Sequence, residues 1–308
     1  MIVPANVLPD GAPFSKSRSN SGMNEDTASP AGAFTRGSTN GELANGTVTG
    51  DIREVANGVY TRDEPVSLSP SLWQNREEPA FELKFQLDEA QARQVAEWAA
   101  RHLQLDPNGK PELGHAYRIH GLYFDTPALD VFHRSSGYKK KKYRLRRYGS
   151  DPLIFLEQKR KSAGRVAKRR VQVDEADLDR LRDVPTELEW TGAWFHRRIN
   201  VRKLEPSCLI SYRRQAYFGH HAEGPLRLTL DRDVRSKPAA EWTVTEATDG
   251  LPMLTDRVLL ELKYRKHLPA LFKGLMQDFA MSPGPLSKYR LAITALGRAP
   301  AAGGRVDG

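Results

Sequence analysis

Charge recurs at every second position in five short, strand-like segments of this 308-residue chain. They are Glu82-Leu83-Lys84, Lys142-Tyr143-Arg144-Leu145-Arg146, Glu157-Gln158-Lys159, Arg227-Leu228-Thr229-Leu230-Asp231 and Glu261-Leu262-Lys263. A β-strand turns residues i and i+2 to the same face. Each segment therefore aims its charges one way and mostly apolar residues the other. One such segment describes any water-facing strand. Five of them, carrying both signs of charge, describe a lined polar interior suited to a highly charged anion and a metal ion.

The remaining composition limits where that interior can be built. From Met1 to Glu78 the chain is rich in Gly, Ser, Asn, Thr and Pro, without a sustained apolar period. Too little apolar surface is available there to offset chain entropy, so residues 1–78 read as a disordered arm. Residues 298–308, rich in Ala and Gly, read as a flexible tail. Residues 79–297 remain, a size that supports one domain with its own core.

The net charge of +9 is concentrated. Between Tyr138 and Arg170, Lys and Arg far outnumber the two acids, Asp151 and Glu157. Such a field attracts polyanions. The single cysteine, Cys208, excludes an internal disulfide and a cysteine-based zinc site, and fits a reducing, cytoplasmic setting. No apolar run approaches the ~18 residues of a membrane span. No Gly-rich phosphate loop of the G-x-x-x-x-G-K-[ST] type is present, so bound phosphates have to be gripped by side chains.

Local signals place about eight strands. Phe81 to Leu87 alternates; Asp88 reads as an N-cap, with Gln91 completing a capping box. The helix that follows is expected to bury Ala90, Val95, Ala96, Ala99 and Leu103. His115 to Phe124 is a second strand, after which Asp125 or Thr126 caps a short helix. Gly137 to Tyr148 is a third. Leu153 to Lys161 and Val166 to Val173 form a hairpin around Ser162-Ala163-Gly164. Asp174 onward and Glu187 to Leu204 read as mostly helical. Strands return at Ser207 to Phe218, Pro225 to Val234 and Arg257 to Tyr264, with Trp242 to Thr245 a weaker candidate. Leu268 to Met281 is an amphipathic helix, and a last helix starts near Ser287. A sheet with charge on one face removes its edges by closing on itself. The expected fold class is α+β: a closed, mainly antiparallel eight-stranded β-barrel with surrounding helices.

Taken in order, these segments resemble the triphosphate tunnel metalloenzymes, and among them the VTC domain of polyphosphate polymerases. The likeness runs from Phe81 to Leu296. It rests on Phe81-Glu82-Leu83-Lys84-Phe85, Leu122-Tyr123-Phe124-Asp125-Thr126, the Lys142, Glu157, Arg227 and Glu261 segments, Ser211-Tyr212-Arg213 and Ser287-Lys288-Tyr289. Related CYTH triphosphatases begin with Glu-x-Glu-x-Lys. Here Ala80 stands at the first of those positions, as in the shorter VTC form.

The resemblance implies a division of labour. Arg144, Arg146, Lys159 and Glu261 are the expected catalytic residues. Lys84, Lys142, Arg213, Arg227, Lys263 and Lys288 are the expected substrate-binding residues. Glu261 is the leading ligand for a divalent Mg²⁺ or Mn²⁺, a hard ion that takes carboxylate and phosphate oxygens, with Glu82 and Asp231 behind it. Glu157 is either an inward functional group or half of a cross-strand ion pair. Arg214, next to Arg213, is expected to face the opposite way. Lys139, Lys140 and Lys141 precede their strand and read as a solvated rim.

Three functions fit this pattern. The first is transfer of the ATP γ-phosphate onto a polyphosphate chain, with ATP and polyphosphate as partners and a membrane protein on another chain as a possible tether. The second is hydrolysis of inorganic or nucleoside triphosphates on the same site. The third is a non-catalytic module that binds polyphosphate or inositol phosphate. Specific nucleic-acid binding is not expected, because it calls for aromatic platforms, and only Tyr138, Tyr143 and Tyr148 lie in the basic run.

Overall fold

The structure is a computed structural model that describes residues 78–184, 189–222 and 224–299. Most of the arm and tail expected at the two ends of the chain lies outside the described residues. Ten strands form one sheet: β1 (Ala80–Leu87), β2 (Gln104–Leu105), β3 (Ala116–Asp125), β4 (Lys141–Tyr148), β5 (Leu153–Ser162), β6 (Arg165–Asp174), β7 (Glu205–His221), β8 (Gly224–Pro238), β9 (Leu251–Pro252) and β10 (Val258–Tyr264). Neighbours run β2-β7-β3-β4-β5-β6-β1-β10-β8-β9, and β7 also pairs with β8. That extra pairing closes eight strands into an antiparallel barrel, leaving the two-residue β2 and β9 as attachments on its rim.

The barrel is inside out compared with a barrel filled by apolar side chains. Phe85 and Leu87 of β1, Leu260 and Leu262 of β10, and Leu228 and Leu230 of β8 point outward. They pack under α1 (Glu89–His102) and α4 (Ala270–Asp278). Leu145 of β4, with Ile154 and Leu156 of β5, forms a second outer core with α2 (Asp130–His133), α3 (Ala193–Val201) and α5 (Lys288–Ala295). Burial of apolar area, at roughly 25 cal/mol per Å², is thus achieved between barrel and helices. The inner face is left free to be charged.

Local rules explain several boundaries. Asp88 Oδ1 accepts from Gln91 N at 2.8 Å, so the N-cap forms. The reciprocal half of the capping box does not, because Gln91 Nε2 donates instead to Phe279 O at 2.9 Å. The exposed Ala90 also departs from expectation; Ala92, Val95, Trp98 and Ala99 are the buried face of α1. The β5–β6 hairpin turns on Ala163 (φ 46°) and Gly164 (φ 76°). Positive φ at both central residues is the geometry that matches strand twist. Asp125 and Thr126 both cap: Asp125 Oδ1 accepts from Val131 N at 2.7 Å, and Thr126 Oγ1 from Asp130 N at 3.1 Å.

Two helical expectations shrink. Glu175–Leu181 is a 3-10 helix, and α3 begins only at Ala193. Trp242 to Thr245 is not a strand. Trp242 instead packs against Phe124 with tilted rings, centroids 5.3 Å apart, and this loop packs on the barrel through buried Val244 and Ala247.

Candidate active site

Inward alternation from β1, β3, β4, β5, β6, β7 and β10, together with the start of α5, lines a single bore. Its wall includes Glu82, Lys84, Tyr123, Lys142, Arg144, Arg146, Lys159, Lys168, Tyr212, Arg214, Glu261, Lys263, Ser287, Lys288 and Tyr289. The side chains leave about 80 Å³ of free volume among themselves, room for only a few waters. The charges are close enough to pair with one another, in three groups.

The first group spans β1, β5 and β10. Lys159 Nζ lies 2.7 Å from Glu82 Oε2, and Lys263 Nζ lies 3.3 Å from both Glu82 Oε1 and Glu261 Oε1. Lys84 Nζ is 3.6 Å from Glu261 Oε2. Burial and the neighbouring Glu261 push the Glu82 carboxyl up, but Lys159, Lys263 and Lys84 outweigh them and hold it at about 2. Glu261 is held well below the usual carboxylate range: burial opposes ionisation, and Lys263, Lys84 and Lys159 overcome it. Lys159 is brought down to about 8, chiefly by burial and by the like charges of Lys84 and Lys263, against the pull of Glu82 and Glu261. Lys142 falls well below its ordinary value through burial and the positive charges of Lys84, Lys159 and Arg144.

The second group is built on Glu157, which is fully buried. Its Oε2 accepts from Arg144 Nε at 2.6 Å and lies 3.7 Å from Arg146 Nε. Arg170 Nη1 is 3.9 Å from the other oxygen. Of the two readings of Glu157, the buried cross-strand ion pair is the one observed, and it orients both arginines. Arg144 also donates to Tyr123 Oη at 2.8 Å. The Tyr123 ring stacks on Tyr289 with centroids 5.7 Å apart, and Tyr289 Oη donates to Asp125.

The third group centres on Asp231. Arg214 donates to both of its oxygens, at 2.6 and 2.8 Å, and Lys288 Nζ lies 2.6 Å from Oδ2. Burial would raise this carboxyl, but Arg214 and Lys288 hold it at about 2. Tyr212 lies alongside with its pKa lowered, since Arg214, Arg146 and Lys288 outweigh burial.

The structure brings most of the expected residues together at the bore and places four otherwise than expected. Lys84, Lys142, Arg144, Arg146, Lys159, Glu261, Lys263, Lys288 and Glu82 all face the bore. Arg213 does not. It is exposed on the outer face, whereas Arg214, expected to point away, is buried in the bore. Tyr212 and Arg214 share one face of β7; Ser211 and Arg213 share the other, with a register shift between Ser211 and Arg213. Arg227 is also withdrawn: its Nη2 donates to Tyr117 Oη at 3.0 Å, sits 3.5 Å from Asp106, and its guanidinium stacks on Phe218. Asp231 stands with Arg214 and Lys288 rather than with the two glutamates, so its oxygens are committed to cations of the protein.

Arg214, Tyr123, Tyr212 and Ser287 were not singled out as site residues from the sequence. Tyr123, Tyr212 and Ser287 stand in segments that carry the resemblance and Arg214 directly follows one, but alternation alone does not say which member of a pair faces inward.

The donor set suits a hard divalent ion. Glu82 and Glu261 project from adjacent strands and already share one cation, the Lys263 ammonium. Thr229, directly opposite Glu261 on β8, is buried with a hydroxyl that has no hydrogen-bond partner. Among the described residues no group of three or more His, Cys, Asp and Glu is gathered. The carboxylates that could hold such an ion together are Glu82 and Glu261.

Comparison with known proteins follows this geometry. No curated protein matches the chain. A solved structure of a candidate adenylate cyclase from Bacillus halodurans is similar, at 11% identity and TM-score 0.45, covering 70% of this chain and 96% of that one. A candidate adenylyl cyclase from Hippeastrum, described as having a dominant triphosphatase activity, is similar at 15% identity and TM-score 0.43, over 70% and 95%. A third, from Vibrio parahaemolyticus, is similar at 13% identity and TM-score 0.40, over 71% and 98%. The family model for the VTC domain matches residues 80–296, well over half of the chain and the whole of the barrel. This chain belongs to the VTC-domain family.

Proposed function

We propose that the bore transfers the γ-phosphate of ATP to the end of a polyphosphate chain. The observation that carries this reading is the composition of the β1 wall. Ala80 lines the bore where the related triphosphatases have a further carboxylate, beside the Lys and Arg side chains of the wall. That leaves one carboxylate pair and a strongly cationic passage, suited to holding a donor and a long acceptor at once.

In this reading the triphosphate lies along Lys84, Lys142, Arg144, Arg146, Lys159, Arg214 and Lys288. Guanidinium forks match phosphate oxygens in pairs, and Glu157 keeps two of those forks aimed before substrate arrives. Lys84, Lys159 and Lys288 would each exchange a carboxylate for a phosphate oxygen, whereas Lys142 would exchange the Ser287 hydroxyl. Glu82 and Glu261 would hold a divalent ion, which supplies charge neutralisation at the phosphate oxygens. The terminal phosphate oxygen of the acceptor forms a new bond to the γ-phosphorus while the bond to the β-bridging oxygen breaks. ADP leaves with that electron pair. The acceptor oxygen is already ionised, so no protein base is required. Positioning and electrostatic stabilisation carry the rate.

Incubation of the purified chain with ATP and Mn²⁺, followed by gel separation of products, tests the assignment. Chains that lengthen with time are expected, and Glu261→Ala should abolish them without unfolding the barrel. Release of free phosphate alone would replace the transferase reading by the triphosphatase one. Tight polyphosphate binding with neither product would replace it by the binding module.

A further inference from the structure

Outside the bore, at the end of the barrel where β4 begins and β5 ends, a second cationic group has no counter-charge among the described residues. Lys141 and Arg160 are directly opposed on β4 and β5. Their neighbours Lys142 and Lys159 turn inward, so Lys141 and Arg160 lie on the outer side of the same wall. Lys141 Nζ and Arg202 Nη1 both donate to the Gly137 carbonyl, at 3.1 and 2.8 Å. Two cations therefore converge on one oxygen. Lys161 N donates to Lys140 O at 2.8 Å, which brings a further pair of lysines side by side. Arg198, one helical turn before Arg202, shares its face of the helix.

Among the described residues no ion pair involves any of these six. Cations at a helix C-terminus are favoured by the helix dipole, which accounts for Arg198 and Arg202 but not for Lys141 or Arg160. Like charges directly opposed across a strand pair are destabilising unless something neutralises them. Burial, followed by the guanidiniums of Arg202, Arg160 and Arg198, lowers the Lys141 pKa. The group is therefore short of negative charge.

We propose that this rim is an exosite for a linear chain of condensed phosphates, holding on the outer wall the part of the chain that the bore does not contain. The proposal rests on the transferase reading, since it supplies a polyanion longer than a triphosphate. Nucleic acid fits less well. The aromatic ring in the cluster, Tyr138, is stacked by the Arg202 guanidinium at 5.4 Å and donates its hydroxyl to Arg202 O, so it offers no free platform for a base.

The test is equilibrium binding to the full chain without ATP or turnover, so that it succeeds or fails independently of any polymerase assay. Two probes are used, inorganic tripolyphosphate and fluorescently labelled long-chain polyphosphate. The variant Lys141→Gln/Arg160→Gln/Arg198→Gln is expected to bind tripolyphosphate like wild type. Its affinity for the long chain should fall by roughly ten-fold or more, with a shallower salt dependence, because fewer counterions are released. The charge-keeping variant Lys141→Arg/Arg160→Lys should retain long-chain affinity, which separates lost charge from lost structure. Unchanged long-chain affinity in the neutral variant would overturn the proposal. So would equal loss of both probes, or displacement of the long chain by single-stranded RNA as effectively as by polyphosphate.

Discussion

Lys142 Nζ donates to Ser287 Oγ at 2.6 Å, and the same oxygen accepts from Arg290 N at 3.3 Å as the N-cap of α5. One hydroxyl thereby ties the last helix to β4 and positions an inward lysine that no carboxylate reaches. The next two residues complete the attachment: Lys288 pairs with Asp231 on β8, and Tyr289 donates to Asp125 at the end of β3. Three consecutive side chains therefore fasten α5 to three separate strands around the bore. Ser287→Ala should lower stability by about 1 kcal/mol through loss of the cap, and should also weaken tripolyphosphate binding. Denaturant unfolding and calorimetric titration measure the two effects separately.

Arg213 and Arg214 provide a paired test of which face of β7 lines the bore. Arg214→Ala leaves Asp231 buried with Lys288 as its remaining partner, which should cost about 3 kcal/mol or more and abolish turnover. Arg213→Ala removes an exposed side chain, so stability should change by no more than about 0.5 kcal/mol. Equal effects in urea unfolding would refute the orientation.

Glu157→Gln keeps the shape of the side chain but removes the charge that holds Arg144 and Arg146. Breaking a buried pair on one side costs roughly 3–5 kcal/mol. Even at temperatures where the variant is fully folded, kcat should fall more than nucleotide affinity, because the guanidiniums remain present but misaimed. Steady-state kinetics with parallel binding measurements would separate these quantities.

The lysines of the bore link binding to pH. Lys159 titrates at about 8 in the free protein, and a phosphate ligand favours its charged form. Tripolyphosphate affinity should therefore decline as pH rises through about 8, and binding above that pH should take up protons. Calorimetry in buffers of different ionisation enthalpy reads this uptake directly. Lys159→Arg, which stays charged, should flatten the decline.

Acid should act through the carboxylates. Glu82 and Asp231 are each held at about 2 in the folded protein, below ordinary values of 4.5 and 3.8. A depressed carboxyl stabilises the fold fully above its unfolded pKa, and that contribution is lost as pH falls toward the folded one. Denaturation midpoints should accordingly drop between about pH 4.5 and 2. Glu82→Gln should show a smaller drop than wild type.

The alternation in β1, β4, β5 and β10 was readable from the chain because a period of two is a property of the extended backbone. An apolar outer row at Phe85, Leu87, Leu260 and Leu262 forces Glu82, Lys84, Glu261 and Lys263 to the other face. The Asp88 cap and the start of the last helix near Ser287 were equally readable, since each depends on residues within a single turn. On β7 the same rule fails. Ser211 is buried under a loop, where it meets Ala247 N and His120, and Tyr212 is buried in the bore, so burial on both sides hides which face is inner.

Sequence periodicity by itself determined that this chain would close a sheet with charge inside and apolar surface outside. Only the tertiary structure decided which charges meet. Closure of β7 on β8 sets Arg214 opposite Asp231, and the start of α5 brings Lys288 to the same carboxylate. Asp106 and Tyr117 capture Arg227 away from the residues that line the pocket, although it shares the strand parity of Asp231. Backbone geometry repeats along a strand, but Coulomb pairing depends on distances between separate segments, 17 residues apart for Arg214 and Asp231 and 121 for Arg227 and Asp106, and those exist only once the barrel has closed.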